Sequence, residues 1–312
     1  MSTKRENYRQ ALRPLLLRAI NSPGLLSPDQ FRMARFSLNP SLRARLIDPD
    51  IAALEDYVID HSNLPGPRAD LELIGAFADE VGDLCRAPDL SLNRSYVALE
   101  WLLLELINRY PPAVFGGDPG SPLQMPQLCG LVALGEWSAR FCHIEAGAST
   151  LLEQARSPLW RIREGAAMGL QRMLGLAWGS TIRRLRRQSV DAGAYAWRAI
   201  VAAVAEPPLL TDSARALEAL DLHYEALAFL RRLPASARRT DPALTLRQAL
   251  AYSVSVITAA APAAGFDQMR AWAAWHDPDI HWLLRENLKK NRLSKWPDQV
   301  AALRVLVGKA GE

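Results

Sequence analysis

Long apolar runs are missing from this chain. No stretch of eighteen apolar residues occurs, and the richest window, "YAWRAIVAAVA" at 195–205, is interrupted by Arg198. A segment that short does not span a bilayer, so no membrane partner is expected. Cysteine is scarce as well. Cys85, Cys129 and Cys142 cannot form a complete disulfide set, which fits reduced thiols and a cytoplasmic setting. The start, "MSTKRENYRQALRPLLLRAI", is basic but has no clean apolar core and no small-residue cleavage site, so it reads as no signal peptide. Gly and Asn are too few, and β-branched runs too short, for an all-β fold.

The usual marks of chemistry are also missing. No Gly-x-Ser-x-Gly occurs, and "GGDPG" lacks both the following Lys-Ser/Thr and a preceding strand. Cys142 and His143 are adjacent and so point apart, Cys129 lies well before them, and His276 and His281 are five residues apart. None of these has the short spacing of a zinc site. The carboxylates are scattered without a marked acid/base pair. No reaction can be read, and neither a cofactor nor a metal is expected.

What remains is a helical chain. Ala, Leu and Arg dominate, and 49% of the 312 residues are apolar, enough for a sizeable core. Apolar residues recur with helical spacing, and no strand alternation competes. The expected helices are 5–20, 28–36, 41–46, 49–61, 69–86, 93–109 and 124–141, then 145–156, 159–175, 178–189, 192–205, 212–221, 222–233, 242–259, 264–275, 278–291 and 297–308. "YPPAVFGGDPGSPLQMP" at 110–126 holds five prolines and three glycines and cannot continue a helix. It suggests three parts: an N-terminal helical region at 1–110 that caps the array or holds degenerate repeats, a loop at 111–126, and helical repeats at 127–312. Charge divides the same way. Residues 1–126 hold 13 Lys/Arg and 16 Asp/Glu, net −3, whereas 127–312 hold 24 and 17, net +7. The second part is the one suited to an anionic partner.

Repeats favour a stacked array over a bundle. "SPLWRIREGAAMGLQRML" at 157–174 aligns with "DPDIHWLLRENLKKNRL" at 277–293. Ile162 matches Trp282, Met168 matches Leu288, and Met173 matches Leu293. "DPDIAALEDYV" at 48–58 and "DPALTLRQAL" at 241–250 repeat the Asp-Pro opening, a cap followed by proline in the first turn. A turn ending in Asp-Pro or Ser-Pro, then a helix with a branched or aromatic residue and an Arg near its start, resembles the second helix of a HEAT repeat. The resemblance covers 145–308 best. It implies an all-α fold, a HEAT-like, armadillo-like α-α superhelix (an α-solenoid) of stacked antiparallel helix pairs, which as a class binds macromolecules on an extended surface.

Within 278–291, helical geometry puts Ile280, Leu283, Leu284 and Asn287 on one face and Trp282 with Glu286 on a second. Trp282 is expected to pack between repeats, and Asp277 to cap the helix. Trp272, Trp275, Asp277 and Trp282 also form an aromatic-acid group similar in kind to that of the HEAT-like alkylpurine DNA glycosylases, although no catalytic residue carries over. Three basic clusters stand out. Arg183, Arg186 and Arg187 lie opposite Trp178, Ile182 and Leu185. Arg231 and Arg232 precede Arg238 and Arg239, and Arg285, Lys289 and Lys290 precede Arg292 and Lys295. With Trp275, they are the candidate binding residues. A non-enzymatic scaffold binding a protein partner is the first expectation, with a solvated outer face as the plain reading of the arginines. Nucleic-acid binding is the alternative, with base excision its extreme form. Mixed charge along a groove would favour the first, and the three clusters gathered on one face the second.

Overall fold

A computed structural model describes residues 3–22, 48–87, 94–189 and 193–308. Among these residues the fold is all-α, with thirteen α-helices and no strand. The helices are α1 (Lys4–Ile20), α2 (Pro49–Asp60), α3 (Leu71–Arg86), α4 (Arg94–Arg109), α5 (Met125–Arg140), α6 (Ile144–Gln154), α7 (Trp160–Ser189), α8 (Ala194–Val204), α9 (Ser213–Arg232), α10 (Asp241–Ala260), α11 (Pro262–Ala273), α12 (Pro278–Leu288) and α13 (Pro297–Gly308). None of the described helices is long and apolar enough to cross a membrane. The expected helices 28–36 and 41–46 lie outside the described residues.

Helix starts follow side-chain chemistry. Thr3 accepts from the Glu6 amide at 3.2 Å, the first half of a capping box. Asp48, Asp70, Asp212 and Asp277 cap α2, α3, α9 and α12 through backbone amides in the first turn. Two expected boundaries come out differently. The segments 212–221 and 222–233 form one helix, α9, because no breaker separates them and they share one buried stripe through Ala216, Leu220, His223, Leu227 and Leu230. The segments 159–175 and 178–189 run together in α7, but Ala177 (φ −142°, ψ 55°) is non-helical between them.

That kink coincides with a division into two compact units, Met1–Ala177 and Trp178–Glu312. The Pro/Gly-rich stretch at 111–126 lies inside the first and forms two short 3-10 turns, Pro112–Phe115 and Pro122–Gln124. In the first unit, α1 packs on α3 and α3 on α5, with α2 against α1, and α4 and α6 against α5. Gly135 and Gly169 bring α5 and α7 together, since a Cβ at Gly135 would stand 2.0 Å from the Gly169 carbonyl oxygen. In the second unit, α8 packs on α10 and α10 on α12, while α9 lies on α8 and α10, and α11 on α10 and α13. Among the described helices, each unit thus holds a row of next-but-one helices with partners beside it.

The rows are sealed differently. Arg5, Arg9 and Arg13, one turn apart on α1, face carboxylates of α3. Arg5 pairs with Asp79 at 2.7 Å, Arg13 with Glu80 at 2.5 Å, and Arg9 with Glu80 and Asp83. Arg172 continues the ladder to Asp79 at 2.8 Å and Glu136 at 3.5 Å, and Arg140 joins Glu136 at 2.6 Å. In the second unit, the buried Asn287 amide donates to the Leu250 and Leu283 carbonyls, and its oxygen accepts from the Ser255 amide at 2.7 Å. His223, also buried, bonds the Ala219 carbonyl through Nδ1 and the Ser253 hydroxyl through Nε2.

Candidate binding surfaces

The apolar faces are where helical periodicity put them. Ile280, Leu283, Leu284 and Asn287 are fully buried, as are Ile182 and Leu185, and Trp178 nearly so. Trp282 is mostly buried, and its contact comes from the neighbouring helix α10, whose Arg247 guanidinium lies 4.2 Å from the ring centre. Trp272 is the tryptophan of this region that the core fully encloses.

The basic clusters sit at different places in the second unit. On α7, Arg183 and Arg187 are exposed, and Arg186 pairs with Asp221 of α9 at 3.0 Å. Nearby, Trp178 donates to Glu218 at 2.6 Å while Arg215 lies 5.1 Å over its ring. Arg231 and Arg232 are exposed at the C-terminal end of α9. Arg231 stands 5.0 Å over the half-buried Trp275, whose ring also meets Tyr224 edge-to-face at 5.7 Å. Tyr224 is 47% exposed and Leu217, two turns earlier, 44%, so the outer stripe of α9 carries apolar and aromatic groups that end in Arg231.

Lys289 and Lys290 lie at the other end of α12 from its cap. The eleven residues of α12 make about 16 Å of helix, and Lys289 and Lys290 follow its last residue, Leu288. Lys289 pairs with Glu286 at 2.5 Å. Lys290 and Arg292 flank the ring of the half-exposed Tyr252 on α10 at 5.7 and 4.4 Å, and Arg292 donates to its hydroxyl at 2.6 Å. Arg285 donates to the Val307 carbonyl at 2.8 Å and so fastens α13. Lys289 and Lys290 are thus set apart from Arg231 and Arg232 by the length of α12.

Arg238 plays an internal part. It reaches Asp277 at 2.7 Å and Asp279 at 3.3 Å and also donates to the Leu233 and Arg231 carbonyls. Burial works against its charge, but the hydrogen bonds and charges of the two aspartates outweigh this and raise its pKa. Both oxygens of Asp277 are engaged. Oδ1 accepts from the Asp279 and Ile280 amides, and Oδ2 from Arg238. With Trp272 in the core and Asp277 committed to cap and ion pair, the aromatic-acid group presents no open carboxylate. His281 is buried and bonds the Ala273 carbonyl at 2.7 Å, and among the described residues no group of three or more His, Cys, Asp or Glu is placed to hold a metal.

The first unit contains a cavity of about 240 Å³ that periodicity gave no hint of. Its apolar wall comes from Leu71, Ile74, Leu128 and Met168, and Trp160, Arg161, Arg68 and Glu164 complete it. The only trace in sequence is Trp160 itself, a large aromatic at a helix start, 47% exposed in the structure. No family model matches this chain, and no curated protein matches it.

Proposed function

We propose that the chain is a non-enzymatic scaffold, a HEAT-like α-α superhelix whose stacked helix pairs bind a protein partner. The next-but-one packing within each unit supports the superhelix. The interleaving of charge carries the choice of partner. Arg186 meets Asp221, Arg238 meets Asp277 and Asp279, and Lys289 meets Glu286, so cations alternate with anions along the surface. A groove that follows phosphates instead presents a run of cations without such neighbours. Tyr224, Trp275 and Arg231 are residue types that dominate protein interfaces, with apolar bodies and polar ends.

Tyr224 is the position to test. Retention of a defined protein by the full chain, from extract treated with nuclease, is expected to disappear in Tyr224→Glu, and cross-links to that protein are expected to map to α9. Retention that nuclease abolishes, or that Tyr224→Glu leaves intact with cross-links elsewhere, contradicts the reading.

One observation favours the nucleic-acid alternative. Tyr252 is half-exposed between Lys290 and Arg292, an aromatic ring among cations of the kind on which bases stack.

A further inference from the structure

We infer that the cavity of the first unit binds an apolar group carrying a carboxylate. Its position in the fold is the first reason. Leu71 and Ile74 belong to the first turns of α3, Leu128 to the first turn of α5, and Trp160, Arg161 and Glu164 to the first turns of α7. The first turns of three helices therefore line one cavity, and with Asp70 already capping α3, those of α5 and α7 contribute the positive potential.

Arg161 is the second reason, and it is independent of the first. The residue is only 6% exposed and lines the cavity. Its Nη1 and Nη2 donate to the Pro119 and Gly66 carbonyls, the guanidinium lies 4.6 Å from the Trp160 ring centre, and its Nε has no hydrogen-bond partner. Among the described residues no carboxylate pairs with it. A buried guanidinium is ordinarily matched by an anion, and carbonyls supply dipoles without supplying that charge. Arg68, exposed beside it, adds a second cation. Against these two, the wall holds one acid, Glu164. Asp70, the nearby cap of α3, is already held by Lys4 at 2.6 Å and Tyr8 at 3.0 Å.

The apolar part of the ligand follows from the wall and the volume. A dry cavity of roughly 150 Å³ holds benzene, so about 240 Å³ holds a phenyl ring and a short linker. Leu71 and Trp160, 57% and 47% exposed, leave large apolar surface at the same place. A ring among Leu71, Ile74, Leu128 and Met168, with its carboxylate toward Arg161 and Arg68, satisfies both halves of the site. The same chemistry comes from a small free acid or from the C-terminus of a chain that ends in a large apolar residue.

Calorimetry on the full chain tests this with hydrocinnamate and its uncharged counterpart, hydrocinnamyl alcohol. The acid is expected to bind about tenfold more tightly than the alcohol, the effect of one charge-assisted hydrogen bond. Arg161→Gln is expected to remove that preference. Because Arg161 also ties two loops, Arg68→Glu serves as the variant that leaves the fold alone. It is expected to weaken the acid and leave the alcohol unchanged. Equal affinity for acid and alcohol, no binding of either, or acid binding indifferent to Arg68→Glu overturns the inference. A peptide ending in phenylalanine, as free acid and as amide, identifies the source. Tighter binding than hydrocinnamate, lost on amidation, assigns a chain terminus, and exclusion of the peptide while hydrocinnamate binds assigns a small acid. The site lies in the first unit, so its failure would leave the reading of the α9 surface untouched.

Discussion

Across α1, α3, α5 and α7, the first unit lays arginines against carboxylates. Between α10 and α12, the second sets a buried neutral side chain, Asn287, bonded to backbone, beside an ion pair of Arg247 with Asp279. Both arrangements join helices that are next-but-one among those described, yet they respond to different conditions. The ladder of Arg5, Arg9, Arg13, Arg140 and Arg172 is partly open to solvent and is screened by salt, whose Debye length falls to about 3 Å at 1 M. The Asn287 bonds are buried and carry no net charge. A next-but-one row therefore does not dictate one kind of seam.

The largest expected effect breaks the neutral seam. Asn287→Ala leaves the Ser255 amide and the Leu250 carbonyl without their partner and opens a small void. It should cost about 2–4 kcal/mol, nearly the same at low and high salt. Urea denaturation followed by hydrogen exchange checks this, with lost protection expected in α10 and α12. A loss below about 1 kcal/mol would remove Asn287 from the seam.

The next sharpens the comparison through pH. Burial pushes Glu55 from an ordinary 4.5 up to about 7, against the opposing charge of Arg109 and the Tyr110 hydrogen bond. The folded state then holds a proton that the unfolded chain releases, so this group's contribution is complete below pH 4.5 and is lost as pH rises through about 7. Burial moves His223 the other way, from 6.5 to about 4. Its contribution is complete above pH 6.5 and is lost as pH falls toward about 4. Each is worth on the order of 3 kcal/mol across its window. Between pH 4.5 and 6.5 the units should therefore drift in opposite directions, with protection in α2 and α4 rising on acidification and protection in α9 and α10 falling. Glu55→Gln should flatten the first slope and leave the second. Slopes of the same sign would show that other groups govern one of the units.

A smaller effect concerns the turn before α12. Asp277→Asn keeps a capping oxygen, whereas Asp277→Ala loses the cap and frees Arg238, at a cost of about 0.5–2 kcal/mol in thermal denaturation. Equal stability of Asp277→Ala and the wild type would mean that the cap is dispensable.

Local order was legible in the sequence to the extent that it depends on neighbours along the chain. Asp-Pro and the helical period place α2 and α12 to within a few residues, because cap, proline and apolar face all lie within a dozen positions. The burial of Ile182 and Leu185 and the exposure of Arg183 and Arg187 follow from the same periodicity. What periodicity does not carry is which faces meet. Arg5 and Asp79 are 74 residues apart, and nothing local marks them as a pair. Trp282 was placed correctly on its helix and against a neighbour, but nothing local marks Arg247 on α10 as the residue that meets it. The cavity was illegible for the same reason, as its wall is assembled from three separate segments. For the candidate site, the identity of the exposed cations was readable, but their separation along α12 was not.

Duplex DNA binding by the full chain, titrated at two salt concentrations beside a variant with Arg183, Arg187, Arg231, Arg232, Lys289 and Lys290 replaced by Ala, tests the protein-scaffold reading most directly. That reading predicts weak binding indifferent to sequence, about 10⁻⁴ to 10⁻⁶ M at physiological salt, that fades as salt rises. Tight binding that persists at high salt, prefers one sequence or lesion, and disappears in the variant would contradict it.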